Sequence, residues 1–292
     1  MLESTIKTFA DNLSALREFV LLIGSLLDSR QTNIVRRHRK EFIPLLLLLH
    51  KAGVQTELTD DRIRQLESEF GGKLQIEQEE EEKDKEGKKW SLKISGEEWD
   101  ADLVMKTLRA DSAHRSLLYR SALISLVSAA EWFLSQVIRT FFDKYPGASG
   151  ADAKTLTLED LKSLGSIEDA QRYLIDMRIT EIMWGSFEDW LKFLTGTVKL
   201  SASYLDPEKD ALIEVFQRRN VMVHNNGLVP SIYMQKVPAE LRKGVSLGAD
   251  LTVSADYLAK SIDLVEKNFI LLAAELWKQL NATDEKRGGG TN

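Results

Sequence analysis

The chain contains no cysteine, so disulfides and thiolate metal sites are excluded together, a composition that fits a reducing compartment. Histidine is nearly as scarce. His38, His50, His114 and His224 show no i, i+4 pair or other metal-ligand spacing, and no metal or cofactor is expected. Only five prolines interrupt 292 residues rich in Leu, Ala, Glu, Lys and Arg, which favours helix over sheet. No glycine-rich phosphate loop is present. The longest apolar run, Phe42 to Leu49, is eight residues, far short of the roughly 20 that cross a bilayer. Met1-Leu2-Glu3-Ser4 lacks the basic start of a secretory signal. The expectation is a soluble, cytoplasmic protein with no membrane partner. A formal net charge of −6 argues against broad nucleic-acid coating, though not against a small basic cleft.

What is present is 43% apolar and 29% charged, the balance of a globular protein able to bury one large core or two modest ones. Ile6, Phe9, Leu13, Leu16, Phe19, Val20 and Ile23 recur at three- and four-residue steps, as one helix face would. A polar break is expected at Asp28 to Asn33. A second helix then runs from the basic patch Arg36 to Lys40 into the leucine run Leu45 to Leu49. Thr59 to Phe70 reads as a short helix. Leu74, Ile76, Trp90, Leu92 and Ile94 alternate with polar residues, predicting a hairpin over 74-94 with a charged tip.

From about residue 103 the period is helical again. Leu117 through Phe141 mark a helix of roughly 30 residues, stopped at Tyr145-Pro146-Gly147. Thr157 and Ser166 read as helix starts, and Phe187 to Val198 as a short helix. Asp206-Pro207-Glu208, with Asp206 as cap, opens a helix closed by Asn225-Asn226-Gly227. Ile232 to Val237 and Leu247 to Val253 read as extended, and Ser254 as the cap of a last helix. The fold expected is mainly α. It has an α+β region of unknown role at 1-106, a four- or five-helix up-and-down bundle at 107-282 and a disordered tail at 283-292. Trp132, Trp184, Trp190 and Trp277 sit at helical spacing and are expected in the core.

The stretch Arg218-Arg219-Asn220-Val221-Met222-Val223-His224-Asn225-Asn226-Gly227 is the main candidate for chemistry. A guanidinium neutralises phosphate, and an imidazole moves protons near neutral pH. His224 falls in the last helical turn. Five steps at about 100° each leave Arg219 and His224 about 140° apart. They converge only if the helix end loosens or a symmetry mate completes the site. RNA supplies its own nucleophile, so a base, an acid and a positive charge would suffice.

Arg219-Asn220-Val221-Met222-Val223-His224 resembles the R-x4-6-H signature of the HEPN superfamily, with its polar residue directly after the arginine. Phe216 before it, Asn225-Asn226-Gly227 after it and Glu131-Trp132-Phe133 on a long first helix extend the resemblance. It covers residues 107-282 and is nearest to bacterial members of the RiboL-PSP-HEPN type. The resemblance implies a HEPN-like bundle and metal-independent endoribonuclease activity on single-stranded RNA, tRNA loops among the candidates. It also implies a homodimer with a composite site, and a toxin or effector role in anti-phage defence or a toxin–antitoxin system with a protein partner. By position Arg219 would stabilise the phosphorane, His224 transfer protons and Asn220 hold the scissile group or the histidine. Glu131 and Asn225 would support them, and Arg218 and Lys236 would contact substrate. The alternative is a non-catalytic HEPN-like dimerisation, RNA-binding or scaffolding module, in which Arg219 and His224 only satisfy carbonyls or a carboxylate. The N-terminal region resembles nothing named.

Overall fold

Helix is the dominant element among the described residues. The computed structural model describes residues 2–37, 59–70, 74–78, 90–94, 97–99, 101–150, 155–242 and 244–288. The expected leucine-rich helix near Leu45 to Leu49, the hairpin tip and residues 289–292 lie outside them. The chain forms two compact units, Met1–Val20 with Leu118–Asn292, and Leu21–Leu117.

The first helix, α1, spans Leu2–Arg37 without the break expected at Asp28 to Asn33. Those six polar residues include neither Gly nor Pro, and their propensity costs are only a few tenths of a kcal/mol each. Asp28 is moreover tied to Arg115 at 2.6 Å. The unit Leu21–Leu117 also holds α2 (Asp60–Phe70) and a three-stranded antiparallel sheet of β1 (Leu74–Gln78), β2 (Trp90–Ile94) and β3 (Glu97–Trp99). Leu74 pairs with Ile94, Gln78 with Trp90 and Leu92 with Trp99.

Helix α3, Ala101–Lys144, is 44 residues long and contains no Gly or Pro, which explains why it exceeds the length read from apolar periodicity. The expected boundary at 106/107 falls inside it. Its part Ser112–Lys144 is long and apolar enough to cross a membrane by length and composition, and half of its most apolar stretch is buried inside the protein. Leu123, Leu126, Phe133, Leu134, Val137 and Ile138 supply that buried face. The helix ends where Pro146 begins a 3-10 turn, Pro146–Ser149.

Three helices then start on hydroxyl caps. Thr157 caps α4 (Leu158–Leu164), Ser166 caps α5 (Ile167–Met183) and Ser186 caps α6 (Phe187–Gly196), each accepting a hydrogen bond from the amide three residues on. Helix α7, Lys209–His224, starts differently from expectation. Asp206 is not its cap; Glu208 holds that position and makes no capping bond. Its carboxylate instead accepts from Lys267 at 2.9 Å and Asn268 at 2.7 Å.

Ser231–Lys236 is a short helix, α8, where an extended segment was expected. Its buried side chain is Tyr233, and Val237, just past its end, is buried four residues on, a helical spacing that the alternation of Ile232 and Met234 obscures. Leu247 to Val253 is extended only to the point of an isolated bridge between Leu228 and Asp250. The last helix, α9, spans Ala255–Gly288, so the tail expected from residue 283 is helical to the first glycine of the terminus.

The core of the larger unit is an aromatic stack. Phe9 of α1 lies 4.3 Å from Phe133 of α3 and 6.1 Å from Phe269 of α9, and Phe187 of α6 stacks on Phe216 of α7 at 4.8 Å. Leu2, Phe9 and Leu13 are fully buried there, so the first helix begins as a member of the bundle and not of a separate N-terminal region. Of the four tryptophans expected in the core, only Trp190 is buried, with its indole N–H on the Ile182 carbonyl at 2.9 Å. Trp132, Trp184 and Trp277 are exposed, Trp184 at 82%.

Candidate functional site

Helix α7 carries the motif and remains α-helical through His224. Its closure is dictated by the next three residues. The Gly227 amide donates to the Val221 carbonyl at 3.1 Å, the six-to-one bond of a Schellman cap, and the Asn225 amide donates to the same carbonyl at 3.0 Å as the last α-helical bond. Asn226 has φ 50° and Gly227 φ 92°. A Cβ at Gly227 would lie 2.9 Å from Asp250 Oδ1, so glycine is required by both conformation and space. The Gly227 carbonyl accepts from the Leu251 amide at 2.8 Å, fastening the end of the helix to the following loop.

Arg219 reaches across to α3, where its Nη2 meets Glu131 Oε1. The arginine side chain is 17% exposed and the glutamate 33%. Burial pushes the guanidinium below its ordinary pKa. The contact engages one nitrogen, Nη2, and Nε is buried without a hydrogen-bond partner among the described residues. A single-point pair lacks the second parallel bond that makes an arginine–carboxylate fork strong. His224 is exposed on the last turn, Asn220 is half-buried and Asn225 is exposed. Because α7 does not loosen at its end, the offset of about 140° between Arg219 and His224 stands. The structure brings Arg219 together with Glu131 and leaves His224 facing solvent.

The two residues expected to contact substrate are placed in ion pairs. Arg218 Nε donates to Glu214 at 2.7 Å, its Nη1 donates to the Thr252 carbonyl at 2.6 Å, and the guanidinium lies 4.1 Å over the Tyr257 ring. Glu214 is only 5% exposed and also accepts from the Tyr233 and Tyr257 hydroxyls, at 2.8 and 2.6 Å. Burial first, and then the Glu214 charge, push both phenols above their ordinary pKa. Lys236 pairs with Glu188 at 2.9 Å.

One residue that the sequence did not suggest is Arg120. It precedes Glu131 by eleven positions on α3, which at about 100° per residue is three turns plus about 20°, so both project from one face. Its Nη2 donates to the Met222 carbonyl and its Nη1 to Asn226 Oδ1 at 2.9 Å. Glu131 thus holds α7 at Arg219 and Arg120 holds it at its end. The only sequence signal was a charge set among Leu117, Leu118, Ala122 and Leu123. The chain matches no protein-family model, no curated protein and no solved structure.

Proposed function

We propose that this chain is an endoribonuclease that cleaves single-stranded RNA through the 2′-hydroxyl, using Arg219, Asn220 and His224 in a homodimer. The observation that carries the reading is a rigidly closed helix end that leaves the His224 imidazole exposed, one turn beyond an arginine held by a single-point contact. The resemblance of Arg219 to His224 to the HEPN signature supports it, and so does the bundle in which the motif sits. In the step proposed, the imidazole takes the 2′-proton, O2′ bonds to phosphorus, and the bond to O5′ breaks as O5′ takes up a proton from water. The product is a 2′,3′-cyclic phosphate and a free 5′-hydroxyl. Arg219 neutralises the charge gathered on the phosphorane, and Asn220 positions the scissile group. The diverging directions of Arg219 and His224 favour a site that takes each from a different copy. A toxin or effector role with an antitoxin or defence partner belongs to the same proposal and rests on the resemblance.

The test is cleavage of an unstructured RNA by wild type, Arg219→Ala and His224→Ala, with EDTA present. Wild type is expected to cut and leave cyclic phosphate ends, and each variant to lose about 100-fold or more. Undiminished cleavage by His224→Ala would sink the reading, and loss of wild-type activity on chelation would contradict the metal-free step. The Arg219–Glu131 pair favours a second reading, a non-catalytic RNA-binding or scaffolding module. In that case wild type binds RNA without cutting it, and only Arg219→Ala changes the protein, through its stability.

A further inference from the structure

Arg120 does more than pair with a neighbour. Met222 carries one of the last four carbonyls of α7, which have no partner within the helix. Val221, the residue before it, is satisfied by the Asn225 and Gly227 amides, and Met222 is satisfied by Arg120. The same guanidinium holds the side chain of Asn226, a non-glycine residue in the left-handed region. That conformation carries an energetic cost and persists where surrounding contacts impose it. Arg120 therefore spans His224, gripping the chain two residues before it and two residues after it, from a separate helix.

We propose that Arg120 is a positioning residue for His224, an assignment whose kinetic consequence rests on the ribonuclease reading above. It touches neither the reacting phosphate nor the imidazole; it fixes the turn that aims the imidazole. Charge alone is not enough, because two acceptors in different directions need the planar fork of an arginine, and a lysine ammonium reaches only one of them well.

The experiment combines a kinetic cycle with amide hydrogen exchange on the full chain. Arg120→Gln should lower kcat by about tenfold, with KM within about twofold of wild type, the signature of a lost transition-state arrangement. Arg120→Lys should recover only part of that loss. In a His224→Ala background, Arg120→Gln should cost nothing further, since it acts through the residue already removed. Amides from Val223 to Leu228 should exchange faster in Arg120→Gln, while those of the α3 core keep wild-type protection. Wild-type kcat in Arg120→Gln, or the same tenfold loss in both backgrounds, would overturn the assignment. Should wild type cleave no RNA at all, the ribonuclease reading falls. The exchange data then decide by themselves whether Arg120 fixes this turn, with unchanged protection as the overturning result.

Discussion

Glu214 and Glu131 show how two carboxylates, each facing an arginine, come to have different roles. Glu214 is almost fully buried and receives three donors, from Arg218, Tyr233 and Tyr257, so its charge is compensated. Removing it strands a buried guanidinium and two phenols. Glu214→Ala is expected to destabilise the protein by about 3–5 kcal/mol, and Tyr233→Phe by about 1 kcal/mol, measured by urea denaturation. A loss under about 1 kcal/mol for Glu214→Ala would show that the network is not holding the loop after α7 in place. Half of this was legible. Glu214 and Arg218 stand at i, i+4, the spacing at which helical side chains meet, so their pairing could be read directly. Glu131 and Arg219 are 88 residues apart, and only the packing of α3 on α7 joins them. Read from sequence, Arg219 takes a catalytic role and Arg218 a substrate contact; a rotation of about 100° sends Arg218 into the network and Arg219 to the candidate site.

At the scale of elements, helix starts were more legible than helix lengths because a cap is a local chemical event. Ser186 accepts from the Asp189 amide, while Asp189 accepts from both the hydroxyl and the amide of Ser186. The Ser186 hydroxyl, then its amide and then Lys192 hold the Asp189 carboxyl down at about 2. A depressed folded-state pKa means that the carboxylate's contribution is complete above the ordinary value of about 3.9 and is lost as pH falls through about 2. Ser186→Ala should therefore lower the thermal midpoint at pH 7, and its gap from wild type should narrow between about pH 4 and pH 2. A gap that stays constant over that window would assign the effect to the neutral hydroxyl–amide bond alone. Helix continuity was harder to read. The polar stretch Asp28 to Asn33 looks like a break, yet nothing in it forbids helical dihedrals. Ile232 to Val237 looks alternating, yet Tyr233 and Val237 are its buried pair. In both cases neighbours distant in sequence decide, and a period of two or four over six residues is too short to arbitrate.

For the whole molecule, the largest revision concerns α1, whose part Leu2–Val20 belongs with the bundle. Its apolar stripe was visible, but its partners, Phe133 and Phe269, lie more than a hundred residues away, so the stripe could not announce which core it completes. The same scale decides what the motif can do. Arg219 turns inward to α3 and His224 outward to solvent, and the fastened end of α7 removes the local unwinding that could have joined them in one chain. If the chain is the ribonuclease proposed, chemistry needs Arg219 from one copy and His224 from another. Arg219→Ala and His224→Ala chains, each inactive alone, should then complement when co-refolded. Random pairing makes half the dimers mixed, and each mixed dimer holds one complete site of two, so about a quarter of wild-type activity is expected. Arg219→Ala with Arg219→Ala, carried through the same refolding, should stay inactive. Mixtures that form dimers by light scattering yet recover no cleavage would place both residues' work within a single chain. The exposed histidine and the inward arginine would then need a conformational change in α7 to meet, which the grip of Arg120 and the Gly227 cap oppose.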